Sequence, residues 1–278
     1  MMKKDKIKFL FENQPAKVIT ANNFKGGVGK TTLNSMLAYI ATEKYDLRVL
    51  LFDSDPQANL TKKTRKTYKN ITSEANTNIV EGISNFDIRD SVTIVNDNLS
   101  IVEGLWDMAH FSTFINTNIS KKDNSHYRLY QSLIEPLKSE YDLILFDGIP
   151  TTGDITNNCI IASDYVIVPT QTEEDAYDNT LSYINYLITM TEYNPDLEII
   201  GIVPYLVSSN DKVDKDTLLK YQNEFPEITF NNIIKRSARV KSWSTNGITE
   251  NQPYDKRTLE MYTKVFDEMI ERIYNIEG

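Results

Sequence analysis

Residues 23–32 read NFKGGVGKTT. A lysine and a hydroxyl set behind closely spaced glycines have the composition of a phosphate-binding loop. The glycines let backbone N–H groups converge on phosphate oxygens, and the helix that follows adds the partial positive charge of its N-terminus. In that role Lys30 reaches the β- and γ-phosphates of a nucleotide, and Thr31 offers its hydroxyl to Mg²⁺. The strict spacing G-x-x-x-x-G-K-[ST] is nevertheless not met. Counting back from Gly29 and Lys30, the first glycine should fall at position 24, which is Phe24. A second lysine, Lys25, stands instead directly before Gly26.

Two later segments end in carboxylates. RVLLFDSDPQANL supplies Asp53 and Asp55, and YDLILFDGIP supplies Asp147. Carboxylates at the C-terminal ends of parallel strands face the crevice where ligands bind in open α/β sheets. Magnesium keeps several waters and usually takes only one or two carboxylates. Asp147 fits the Walker B position. Each of the three could also cap a helix or close a turn, and for Asp55 that alternative stays open.

The elements that must position these groups follow from the hydrophobic pattern. Apolar runs that barely alternate predict strands over 17–20, 48–53, 99–103, 142–147, 165–170, 198–207 and 230–234. Helical patterns lie near 30–44, 125–139, 173–193, 212–224 and 255–275. The alternation predicts an α/β fold: a mostly parallel, twisted sheet with helices on both faces. Pro169 is expected to end its strand and Thr172 to cap the helix after it. The basic N-terminus, with Phe9, Leu10 and Phe11 at its centre, reads as an arm or short helix over residues 1–16 that packs on the domain. The stretch 61–98 is the least regular, and its opening run TKKTRKTYKN reads as a solvated basic face.

Composition removes several classes of function. One cysteine, Cys159, excludes a disulfide framework, a cysteine-rich zinc cluster and an iron–sulfur site built within one chain. A reducing cytoplasm is the default expectation. No apolar run approaches membrane-spanning length. A net charge of -9 opposes a uniformly basic nucleic-acid binder, though a local basic patch remains compatible with it.

The loop KGGVGKTT with DSDPQAN resembles the deviant Walker A loop and D-x-D-P-Q motif of the ParA/MinD/Soj ATPases, and VPTQTEEDA is similar to a stretch of the same family. The likeness spans about residues 17–275 and implies a P-loop NTPase fold, with 17–278 as a single ATPase domain. It implies that ATP and Mg²⁺ are bound by Lys25, Gly26, Gly27, Val28, Gly29, Lys30, Thr31 and Thr32. Asp53 and Asp147 then share the magnesium shell with Thr31, and Asp55 positions or activates the attacking water. It gives Lys25 a task the loop itself does not require: reaching across a dimer interface to the partner's nucleotide. A second cation near the β–γ bridge stabilises charge that develops in phosphoryl transfer, and one that arrives from a second copy makes ATP hold the dimer together. Gly148 and Ile149 depart from the residues many relatives carry before Pro150.

The segment IIKRSARVKSWSTNGIT, residues 233–249, resembles the small ParA-type partition ATPases of Gram-positive plasmids. That likeness implies ATP-driven homodimerisation, non-specific binding to double-stranded DNA through Lys235, Arg236, Arg239 and Lys241, and hydrolysis stimulated by a ParB-type centromere-binding protein. The cycle would run in the cytoplasm, on the nucleoid. A MinD-like membrane-cycling ATPase is the first alternative, but the C-terminal pattern of Leu259, Tyr262, Phe266, Met269 and Ile273 is interleaved with acids and reads as core packing, so no membrane partner is expected. A non-catalytic DNA-binding regulator is the second, and Asp53, Asp55 and Asp147 together speak against it.

Overall fold

The computed structural model describes residues 4–208 and 210–278. In chain order the elements are α1 (Lys4–Phe11), β1 (Lys17–Ala21), α2 (Lys30–Tyr45), β2 (Val49–Asp53), α3 (Asn59–Thr67), α4 (Ile79–Ser84), β3 (Val92–Ile94) and β4 (Leu99–Val102). Then come α5 (Phe111–Asn118), α6 (Leu129–Ile134), β5 (Leu143–Asp147), α7 (Asp154–Ile161), β6 (Tyr165–Thr170) and α8 (Glu174–Met190). The chain ends with β7 (Glu198–Val207), α9 (Lys212–Glu224), β8 (Ile234–Lys235), α10 (Ala238–Asn246) and α11 (Pro253–Glu277).

The strands form one sheet in the order β3-β4-β2-β5-β1-β6-β7-β8. Among the described strands only β3 runs antiparallel to its neighbour. The central strands β2 and β5 are buried at every position, as a sheet covered on both faces requires. One face packs on α2 and α11. Tyr262, Phe266, Met269, Ile270 and Ile273 of α11 are fully buried there, each adding about 1.5–3 kcal/mol of hydrophobic burial. Leu10 and Phe11 of α1 join this core, and Lys6 pairs with Glu271 of α11 at 2.7 Å. The opposite face is covered by α4 to α7 around Phe52, Tyr130 and Phe146, and by α8 and α9 around Tyr183 and Tyr221.

Four local expectations need correction. Pro169 lies inside β6, paired with Val203 of β7. β1 ends at Ala21, level with Ile167, so on that side no strand remains for the missing N–H to serve. Thr172 does not cap α8; the cap is Glu173, and the Thr172 hydroxyl donates to Asp214 at 2.6 Å. The strand expected at 230–234 shrinks to Ile234–Lys235, because the N–H groups of Asn231 and Asn232 donate to the Glu268 carboxylate, each at 2.8 Å. The helix expected at 125–139 is broken into α6 and flanking 3-10 turns, the last spanning Glu135–Leu137 around Pro136, which has no N–H for an intrahelical bond.

Candidate functional site

The loop between β1 and α2 is anchored before its glycines begin. The Asn23 side chain accepts the Lys25 N–H at 3.2 Å and donates to Pro169 O at 3.0 Å. The Phe24 ring packs on Tyr183 and Tyr186 of α8, with centroids 4.9 and 5.2 Å away. The position that the strict motif reserves for glycine is thus an aromatic anchor. Beyond it Gly27 and Gly29 take φ values of 77° and 94°, in the left-handed region that only glycine enters freely. A Cβ on Gly29 would stand 2.2 Å from the Tyr205 ring. Val28 is fully buried and fastens the loop from within.

Lys30 opens α2 and folds back over the loop. Its Nζ donates to Asn23 O and Lys25 O, both at 3.2 Å. Burial lowers its pKa to about 8, and the charges of Asp147 and Asp55 oppose that shift. The loop residues Gly26, Gly27, Gly29, Lys30, Thr31 and Thr32 form one wall of a cavity of about 310 Å³. Asp55, Asn59, Lys63, Gly148 and Pro150 form the other. A second cavity of about 360 Å³ lies beside residues 74–81, but its Glu74 and Glu103 are both paired with Arg65.

Asp53 and Asp147 lie behind the cavity lining, in register at the ends of β2 and β5. Both are fully buried. Asp53 Oδ2 accepts from the Thr61 N–H at 2.8 Å and the Thr61 hydroxyl at 2.7 Å, and Oδ1 accepts from the Asp55 N–H at 3.2 Å. Asp147 Oδ1 accepts from Asn34 Nδ2 at 3.0 Å, whereas its Oδ2 is buried with no hydrogen-bond partner. Burial raises the pKa of both carboxyls; for Asp147 the charge of Asp53 raises it further. A cation relieves that condition by replacing the lost hydration and cancelling the repulsion. Among the described residues no cluster of three or more His, Cys, Asp or Glu side chains could hold a metal ion. A site with one free carboxylate oxygen and a neighbouring hydroxyl suits Mg²⁺, which fills its octahedron with phosphate oxygens and water. Asp55, which does line the cavity, accepts the Gln57 N–H at 2.8 Å in a tight turn.

The loop residues, Asp53, Asp55 and Asp147 therefore converge. Lys25 does not join them: its Nζ pairs with Glu173 at 2.8 Å. The basic segment does not line the cavity; it runs from β8 into α10. Lys235, Arg236 and Lys241 are exposed; Arg239 pairs at 2.6 Å with buried Asp255. Four contributors went unread in the sequence: Asn34, Thr61, Lys63 and Gly104. A Cβ on Gly104 would meet Asp53 Cγ at 2.8 Å. Lys63 was grouped with a solvated run, but it lines the cavity and its Nζ donates to Ser244 of α10 at 2.8 Å. Its neighbour Arg65 is likewise committed, to Glu74 and Glu103.

Sheet order, glycine loop and paired strand-end carboxylates define a P-loop NTPase-like protein. Residues 16–199 match the AAA_31 family model, described as an AAA domain. The chain is 30% identical over 237 residues to the chromosome partitioning protein ParA of Myxococcus xanthus, covering 83% of this chain and 79% of that one. It is 28% identical to the sporulation initiation inhibitor protein Soj of Bacillus subtilis, covering 83% and 88%. Among solved structures, a putative plasmid partition protein from Borrelia burgdorferi bound to AMPPNP superposes with a TM-score of 0.71 at 25% identity, covering 90% and 98%. A Cyanothece McdA–ATP complex superposes at 0.77 with 18% identity, covering 92% and 97%, and shares the fold. The chain belongs to the ParA/MinD family of AAA_31 ATPases.

Proposed function

We propose that this chain is a Mg²⁺-dependent partition ATPase that dimerises around ATP, binds DNA without sequence preference, and hydrolyses ATP faster when a ParB-type centromere-binding protein engages it, so that plasmid copies are moved or spaced. The observation that carries the proposal is the divergence of the two loop lysines. Lys30 folds over its own loop at the cavity, while Lys25 pairs with Glu173 and does not line the cavity. A lysine carried on the loop but not engaged in its own cavity is suited to serve a second copy's nucleotide. The neighbour from Borrelia burgdorferi carries AMPPNP, and a cobyrinic acid a,c-diamide synthase of the same fold carries an ATP analogue with magnesium. Here Thr31 and Asp147 would hold Mg²⁺, with Asp53 in the shell around it. The ion would neutralise charge on the β- and γ-phosphates. Asp55 would orient the attacking water, and Lys30 and the partner copy's lysine would stabilise the transferred phosphoryl group.

Lys235, Arg236, Arg239 and Lys241 would supply phosphate contacts for DNA, local in spite of the overall negative charge. Residues 17–278 would form one ATPase domain, with 1–16 as an arm. No described helix is long and apolar enough to cross a membrane, and the apolar face of α11 is consumed by the core. The reading places the protein in the cytoplasm, on the nucleoid.

The test is Lys25→Ala, with ATP turnover measured alone, with DNA, and with DNA plus a ParB-type partner, and ATP-dependent dimerisation followed by light scattering. Loss of dimerisation and a fall in stimulated turnover of about 100-fold or more are expected for the loss of a transition-state cation. Unchanged dimerisation and turnover would exclude the reading. Stimulation by anionic vesicles in place of DNA would replace it with a membrane cycle.

A further inference from the structure

We propose that Lys63 contacts the terminal phosphate of the bound nucleotide and is the link through which the cavity controls α10. The inference rests on the ATP reading and extends it to a side chain outside the motifs. Three contacts place α3 between the two regions. At its N-terminal end, Thr61 gives both its N–H and its hydroxyl to Asp53 Oδ2, so α3 is tied to that buried carboxylate. At its middle, Lys63 lines the wall opposite the glycines. At its C-terminal end, Lys66 Nζ donates to Ser244 O at 2.9 Å, and the Thr67 hydroxyl oxygen accepts the Ile248 N–H at 3.1 Å. This last contact is close-packed: a Cβ on Gly247 would meet Lys66 O at 2.3 Å.

Lys63 thus has two claimants for one ammonium group. One is the Ser244 hydroxyl, at 2.8 Å. The other is whatever anion fills the cavity it lines. Burial lowers the Lys63 pKa, and Asp147 lies near enough to raise it in part. A partly desolvated ammonium bound to a neutral hydroxyl gains by exchanging it for a phosphate oxygen, because charge-assisted hydrogen bonds are about twice as strong. When Lys63 turns to the phosphate, Ser244 loses its donor. Ser244 follows directly on Trp243, which is buried and whose indole N–H donates to Thr249 Oγ1 at 3.3 Å. The same helix carries Arg239 and Lys241. The terminal phosphate is thereby read on α10 without any movement of the sheet.

The experiment uses the two tryptophans of the chain. Trp106 is exposed, so Trp106→Phe leaves Trp243 as the only tryptophan, excited selectively at the red edge beyond tyrosine absorption. Binding of AMPPNP and of ADP is measured by calorimetry for the unsubstituted chain, Lys63→Met, Lys63→Arg and Ser244→Ala, each with Mg²⁺. Trp243 emission is followed in the Trp106→Phe background. Lys63→Met is expected to weaken AMPPNP about tenfold while leaving ADP within about twofold, and to abolish the AMPPNP-induced change in Trp243 emission. Lys63→Arg, which keeps the charge, is expected to restore the preference for AMPPNP. Ser244→Ala, the loss of one hydroxyl, is expected to keep that preference while the Trp243 response falls. An unchanged AMPPNP-to-ADP ratio in Lys63→Met overturns the phosphate contact. Trp243 emission indifferent to AMPPNP in the Trp106→Phe chain overturns the link to α10. Failure of the unsubstituted chain to bind either nucleotide overturns the ATP reading itself.

Discussion

The cavity and the basic segment are built by opposite rules. At the cavity the charged groups are held by hydrogen bonds to backbone and neutral side chains. Asp53 is held by Thr61, Asp147 by Asn34, and Lys30 by two carbonyls of its own loop. On β8 and α10, Lys235, Arg236 and Lys241 make no side-chain hydrogen bond or ion pair among the described residues; Arg239 alone is pinned. The first arrangement suits a ligand that must be met at fixed points, as in phosphoryl transfer. The second suits a polyanion met at any register, where charge counts and position does not. The difference predicts that damage at the cavity is steep and local, and that damage on the segment is shallow and additive.

Gly29→Ala is the most severe test of the first half. Its φ of 94° costs an L-residue about 1–2 kcal/mol, and the new methyl group would also collide with the Tyr205 ring. Tyr205 cannot yield freely, since its hydroxyl is bonded to that of Tyr262 at 2.5 Å in the core. The loop must therefore move, and a loss of about 3 kcal/mol, roughly 100-fold in Kd for ATP, is expected by calorimetry. A methyl group tolerated here with affinity intact would show that the loop is not held as tightly as the contrast requires.

Asp255→Asn tests the exception on the segment. Burial disfavours the Asp255 charge, yet hydrogen bonds from Thr249, Arg239 and the Gln252 N–H hold its carboxyl below the ordinary value of 3.8. A depressed carboxyl contributes stability above its unfolded value and loses it as the pH falls through its folded one. Asp255→Asn should therefore lose about 2 kcal/mol near neutral pH, and the gap to the unsubstituted protein should close as the pH drops below the usual carboxylate range. Thermal unfolding across pH reads this directly. A gap that does not narrow in acid would mean that Arg239 is not structurally committed to Asp255.

What could be read ahead of the structure follows the same division. Strands buried on both faces announce themselves as unbroken apolar runs, so RVLLFD and DLILFD located Asp53 and Asp147, and the glycine loop located Lys30. α7 left no comparable signal, because Asn157 and Asn158 interrupt its apolar pattern although both are buried. Asn158 is satisfied by His126 O, Asp154 O and the Tyr130 N–H, partners that only the folded chain brings near. Thr61 was equally silent: eight residues separate it from Asp53, and nothing in TKKTRK marks a threonine that binds a buried carboxylate. Lys63 was hidden by its neighbours. In a run of like charges the member that turns inward is chosen by the helix phase, and the irregular stretch 61–98 offered no phase to read.

The smallest effect is expected for Lys241→Ala. Lys241 is exposed on α10, so its truncation leaves no buried group unpaired and should not change thermal stability or nucleotide affinity. If the segment works by counting charges, removing one should weaken binding uniformly across DNA sequences and lower the slope of log K against log salt by about one. Titrating a labelled duplex with the ATP-bound protein at several salt concentrations measures that slope. The result separates Lys241 from Arg239, whose removal would in any case orphan Asp255. An unchanged slope would strike Lys241 from the DNA surface, and a change confined to particular sequences would mean that this face reads bases and not only charge.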